Sequence, residues 1–110
     1  MYSDSNYISC YQFGSDGTYW EFSYAVGGNF VMQGTARERG NYSVSGNVVY
    51  LTNRTETWED AKNASKSYTD KSFADTKYAI RFNSDGNLFL DSYGSDGSVI
   101  TSTIKYYKAG

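Results

Sequence analysis

The sequence predicts an all-β fold: an antiparallel up-and-down barrel, or a flattened version of one, of about eight strands in a single domain over residues 1–110. Three observations carry this prediction. Short runs alternate between apolar and polar side chains with the period of two that belongs to a strand. Glycine turns punctuate the runs: Ser15-Asp16-Gly17, Ser84-Asp85-Gly86 and Ser95-Asp96-Gly97 repeat one tripeptide, and Ser45-Gly46-Asn47 is close to it. Glycine supplies a positive φ without steric cost, and Asp or Asn bonds its own local backbone, so these are hairpin signals. Finally, the chain has 12 Tyr, 6 Phe and 2 Trp but no Pro, a composition suited to pleated, half-buried surfaces and unlike that of disordered chains.

The elements follow in order. Residues 7–14 and 18–26 read as the first two strands. A Gly27-Gly28-Asn29 turn leads into 30–36. Residues 40–45 and 48–54 form a hairpin on the Ser-Gly-Asn turn, and 76–82, 87–93 and 98–107 complete the set. In the second strand Trp20, Phe22 and Tyr24 share one face, and Tyr19, Glu21 and Ser23 the other. Apolar-in, polar-out alternation assigns the first trio to the core. The same rule places Tyr11, Phe13, Phe30, Met32, Tyr42, Val44, Val49 and Leu51 inside, followed by Tyr78, Ile80, Phe82, Leu88, Leu90, Ile100 and Ile104. Residues 55–75 break the pattern. Thr57 followed by Asp60 resembles a helix N-cap with an acidic third position, and Ala61, Lys62, Ala64 and Lys66 are helix-compatible. A short helix over about 58–66 followed by a loop is expected there. The rival reading is two long strand extensions with a turn near Asn63.

The composition excludes several chemistries. The chain has no His, hence no Ser-His-Asp triad, Cys-His dyad or His metal ligand. A single Cys allows no internal disulfide and no thiolate zinc cage. The net charge of −2, with signs interspersed, argues against a nucleic-acid-binding face, and no apolar run is long enough for a membrane span.

Phe13-Gly14-Ser15-Asp16-Gly17-Thr18 has the form Phe-x-x-Asp-Gly-Thr. Residues 40–52 have the form Gly-x-Tyr-x-Val-x-Gly-Asn-x-Val-x-Leu-Thr. Phe82-Asn83-Ser84-Asp85-Gly86-Asn87-Leu88 repeats the first motif, and Ile104-Lys105-Tyr106-Tyr107-Lys108 looks like a final barrel strand. This string resembles the small lipocalin-like, calycin-type domains of bacterial secreted proteins and lipoproteins, and it covers most of the chain outside the polar insert. The resemblance implies an up-and-down barrel. The Gly-x-Trp opening strand of such domains has no counterpart before Phe13, so residues 2–9 replace it or it is missing.

Candidate sites are of three kinds. Trp20, Phe22, Tyr24, Phe30 and Tyr42 are placed to line a cavity in the barrel mouth. Barrels of this size either fill with side chains or hold one small ligand, and large rings in a short chain favour filling. Tyr19, Tyr50, Phe89, Tyr93 and Tyr107 fall on the outward faces, where tyrosine offers contact area to a protein or a sugar. Of the carboxylates, Asp16, Asp85 and Asp96 are explained by their turns, and no sequence feature brings Glu21 and Glu38 together as a catalytic pair. Cys10 follows Tyr7-Ile8-Ser9, faintly like a lipoprotein processing site, but lacks an apolar segment before it and reads as a plain strand residue.

The expected function is a non-catalytic, lipocalin-like binding module for a small apolar ligand or a partner. The alternatives are an interaction or inhibitor protein of phage or secreted-effector type, acting through an exposed Tyr-rich sheet face, and a carbohydrate-binding module. No enzyme activity, cofactor, metal or nucleic-acid partner is expected. The opening residues carry no signal peptide. The expected location is therefore the cell envelope or exterior if a leader has been removed, and the cytoplasm otherwise.

Overall fold

The computed structural model describes residues 1–4, 8–27 and 32–108. Its strands are β1 (Tyr2–Asp4), β2 (Ser9–Phe13), β3 (Thr18–Val26), β4 (Met32–Ser45), β5 (Val48–Asp60), β6 (Tyr68–Phe73), β7 (Thr76–Phe82), β8 (Leu88–Tyr93), β9 (Val99–Ile100) and β10 (Tyr106–Lys108). Every pairing is antiparallel. Neighbours run β1-β2-β3-β4-β5-β7-β8; β10 then meets β8 at Leu88 and lies along β1, with Ser3 opposite Tyr107. This closes an eight-stranded barrel, and β6 and β9 are extra strands laid against β5 and β8. The opening strand that the motif pattern lacked is supplied by Tyr2–Asp4.

The four predicted turns form, each with its glycine at positive φ: Gly17, Gly46, Gly86 and Gly97. The three similar tripeptides are not chemically alike, however. The carboxylates of Asp16 and Asp96 accept from the amide and hydroxyl two residues on, at Thr18 and Ser98. At Asp85 the work passes to Asn83, whose side-chain oxygen accepts from the amides of Asp85 and Asn87.

The structure corrects three elements. The expected helix over about 58–66 is absent. β5 runs on to Asp60, a single 3-10 turn occupies Ala64–Lys66, and β6 returns beside β5. Thr55, Thr57 and Trp58 are strand formers and find partners in Arg39, Arg37 and Ala36 of β4. The polar groups read as a helix cap instead make the turn: Asp60 accepts from the amides of Lys62 and Asn63, and Asn63 accepts from Ser65. The strands expected at 30–36 and 40–45 are one continuous element, β4, within the described residues. The strand expected over 98–107 breaks into β9 and β10. Its middle is pinned where Asp91 accepts from the Ser102 amide at 2.9 Å and Arg81 donates to the Ser102 carbonyl at 3.0 Å. The Gly28-Asn29 part of the expected third turn, and Phe30, lie outside the described residues, as does Tyr7.

The core contains Tyr11, Tyr19, Val49, Leu51, Leu88, Leu90 and Tyr106, with Tyr2, Phe13, Tyr42, Tyr78 and Ile80 packed on it. Met32, Ile100 and Ile104, expected inside, are exposed. Among the described residues no helix is long and apolar enough to cross a membrane.

Candidate functional site

The barrel interior has a polar end and an apolar end, and a bulge in β5 divides them. From Val48 to Leu51 the odd residues of β5 face inward, as the buried Val49 and Leu51 show. At Asn53 the backbone turns to φ 51°, and the register against β4 shifts between Arg39 and Asn41. Asparagine tolerates this conformation, and its side-chain amide donates to the side-chain oxygen Oδ1 of Asn41. Beyond the bulge the even residues face inward, so Arg54 turns into the barrel and meets Glu38.

That encounter organises the polar end. The Arg54 guanidinium donates twice to the Glu38 carboxylate, at 2.9 and 3.3 Å, and Tyr19 donates to it at 2.7 Å. Burial alone lowers the Arg54 pKa, but the bonds and charge of Glu38 outweigh it and hold the guanidinium firmly protonated. The Tyr19 ring packs against Gly40, its cross-strand partner, where a Cβ would stand 2.8 Å from the ring and 2.6 Å from the Thr52 carbonyl oxygen. Trp58 likewise lies over Gly34. Each of these aromatic rings occupies space that a side chain on the opposing strand would fill. Glu56 accepts from the Tyr68 hydroxyl, which is thereby pushed up to about 12.

Glu21 stands directly opposite Glu38, a juxtaposition the sequence alone did not place. Burial raises its pKa, and the charges of Glu38 and Glu56 raise it further, against a hydrogen bond from Tyr11. A carboxyl raised in the folded state favours folding most below its unfolded value near 4.5, and that stabilisation is lost as pH rises through the folded value. Glu21→Gln keeps a partner for Tyr11 and removes the charge. It is therefore expected to melt higher than the parent near pH 7 and to flatten the fall in stability above about pH 5. Identical melting curves across that range would show that Glu21 is well solvated in its charged form.

The apolar end holds a cavity of 220 Å³ lined by Tyr2, Phe13, Tyr42, Val44, Val49, Ile80, Phe82, Leu88 and Leu90. Val44 and Phe82, at 54% and 56% exposure, stand at its opening. This pocket is open to solvent, and Val49, Leu88 and Leu90 behind it belong to the packed core. Of the residues expected to line a cavity, Tyr42 does so, and its hydroxyl is anchored on the Gly14 carbonyl at 2.7 Å. Trp20, Phe22 and Tyr24 do not. β3 is turned over relative to the expectation, with Tyr19 buried and Trp20 and Tyr24 exposed. The alternation rule failed here because the inward face carries Tyr19 and Glu21, whose polar atoms are satisfied by partners from β2, β4 and β5. Phe30 lies outside the described residues.

The outward tyrosine set is also revised. Tyr19 is buried, and Phe89 faces outward but is covered by the Arg81 guanidinium at 4.1 Å. Arg81 is held there by the buried Asp91, whose carboxyl its hydrogen bonds keep below the usual range. Tyr93 is half-buried under the Lys77 ammonium. Of the five, Tyr50 and Tyr107 stay exposed. Cys10 is a half-buried strand residue whose thiol burial pushes up, which removes it from the reactive thiolates. Among the described residues no group of His, Cys, Asp and Glu is placed to hold a metal ion.

Compared with family models, curated proteins and solved structures, the chain finds no match.

Proposed function

We propose that the protein is a non-catalytic binding module of lipocalin-like kind, which holds one small apolar ligand in the open end of its barrel. The observation that carries this reading is the 220 Å³ apolar cavity whose rim side chains, Val44 and Phe82, are left more than half exposed. An apolar cavity of about 150 Å³ already accepts a benzene-sized guest. This one suits a single aromatic ring or a short aliphatic chain. Large exposed apolar side chains around a concave opening mark a binding surface more often than a structural need. The polar end supplies the rigidity. Glu38 is committed to Arg54 and Tyr19 rather than left free as a base, which supports binding over turnover.

Toluene, indole and 1-hexanol are suitable probes in a thermal-shift titration. A guest present at ~100 times its Kd stabilises the native state by about 2.7 kcal/mol, a rise on the order of 10 °C in a domain of this size. Val44→Trp, at an exposed rim position, is expected to plug the opening and abolish the shift while leaving the ligand-free melting point near that of the parent. If none of the three probes raises the transition, or if the shift survives Val44→Trp, the cavity is not a ligand site.

A further inference from the structure

We propose that the outer face of β3, β4 and β5 is a second, separate binding site, for an acidic oligosaccharide. The turned-over β3 puts Trp20, Phe22 and Tyr24 on the outside of the barrel, and the register with β4 sets Arg39 directly across from Trp20 and Arg37 across from Phe22. Trp20, Phe22, Arg37 and Arg39 line a groove of 540 Å³ together with the β3 and β4 residues that flank them, Glu21 and Glu38 included. A second cleft of 210 Å³ continues across the same two arginines to Thr55, Thr57 and Asp70. Both arise from the period of two: alternate residues on three adjacent strands share one face.

The chemistry of the face selects its occupant. Trp20 is 37% exposed although large rings gain most from burial. Trp20 and Tyr24 are both exposed on this face, four residues and about 14 Å apart along the strand, so they offer two flat rings to the C–H faces of sugar rings. Arg37 and Arg39 enter no ion pair among the described residues, although acids outnumber bases in the chain by 12 to 10 and both Arg54 and Arg81 are paired. Arg37 lies over the Phe22 ring at 5.7 Å, which leaves the guanidinium edge free to fork onto a carboxylate. Charge complementarity therefore points to an anion that also carries rings. The Thr55 and Thr57 hydroxyls and the Asp70 carboxylate complete the cleft. The Asp70 carboxylate can accept from free sugar hydroxyls, donors that a phosphodiester backbone lacks, which favours a uronate-type glycan over a nucleic acid strand. This site shares no side chain with the interior cavity, so either can fail without the other.

Calorimetric titration with tetragalacturonate, beside cellotetraose as its neutral counterpart and an oligothymidylate of similar length, tests the proposal. Tetragalacturonate is expected to bind, to perturb the tryptophan emission, and to bind at least about tenfold more tightly than cellotetraose. The double variant Arg37→Ala/Arg39→Ala is expected to lose about tenfold or more in affinity, and Trp20→Ala a comparable amount, each with the far-ultraviolet circular dichroism of the parent. All of these side chains are surface groups outside the core, so Trp20→Ala still reports if the double variant folds poorly. No binding at millimolar tetragalacturonate overturns the proposal, as does affinity that survives both variants. Oligothymidylate bound as tightly as the uronate overturns it in favour of a nucleic acid partner.

Discussion

Arg54→Ala is expected to be the most damaging single change in the molecule, lowering the free energy of unfolding by roughly 3–5 kcal/mol. The arginine and Glu38 form an ion pair with side-chain exposures of only 17% and 10%, and removing the cation leaves the Glu38 carboxylate in the barrel with the Tyr19 hydroxyl still donating to it. Most of the loss is the cost of that stranded charge rather than the value of the pair. The double variant Arg54→Met/Glu38→Gln is therefore expected to recover much of it: the glutamine carbonyl still accepts from Tyr19, and no charge remains to be solvated. Urea unfolding of the parent, the single and the double variant measures both quantities. A single-variant loss below about 1 kcal/mol would place the pair with ordinary surface salt bridges and show that water reaches it.

Leu51→Ala is expected to cost about 2–5 kcal/mol. Leu51 is 1% exposed and is paired with Tyr42 across the β4–β5 hairpin and with Thr76 of β7, at the point where β5 leaves one neighbour for another. Its removal leaves a void that three strands must collapse around, next to the cavity already present. Ile104→Ala, at 52% exposure, is the matched control and is expected to change stability by under about 0.5 kcal/mol. Equal effects at the two positions would mean that the packing around Leu51 relaxes freely.

The turns were the most legible part of the fold, because each requires a positive-φ residue and glycine announces it. β3 and β7 were bounded to the residue for the same reason: a turn stands beside each. Faces were harder to read. Period-two alternation says which residues lie together but not which set is inside; that choice assumed an apolar interior. In β3 the inward set is Tyr19, Glu21 and Ser23, and its burial depends on partners that arrive from β2, β4 and β5. A clue was present in Glu38 and Arg54, opposite charges within strands of otherwise mixed character, yet pairing them requires knowing that Asn53 inserts a bulge. The same bulge is why Trp58, read as the start of a helix, packs inside on Gly34. Phe89 shows the converse. Its outward placement was legible, but its covering by Arg81 depends on Asp91 to aim the guanidinium.

The two shortest strands of the barrel seal it. β1 and β10 contribute three residues each, and the contacts they make, Tyr2 with Lys108 through Asp4 with Tyr106, span nearly the whole chain. A ladder this short that closes a loop this long brings little enthalpy to offset a large loss of chain freedom, so it belongs late in the folding sequence and early in any opening. The hairpins from β2 to β5 and from β7 to β8 assemble from local contacts and can precede it. The barrel is in this sense an open, curled sheet that becomes a container only at its last step. Tyr2, which lies on that late-forming strand, is also one wall of the apolar cavity. Amide hydrogen exchange should therefore be fastest along the seam, and the container's volume is fixed by the least durable joint in its wall.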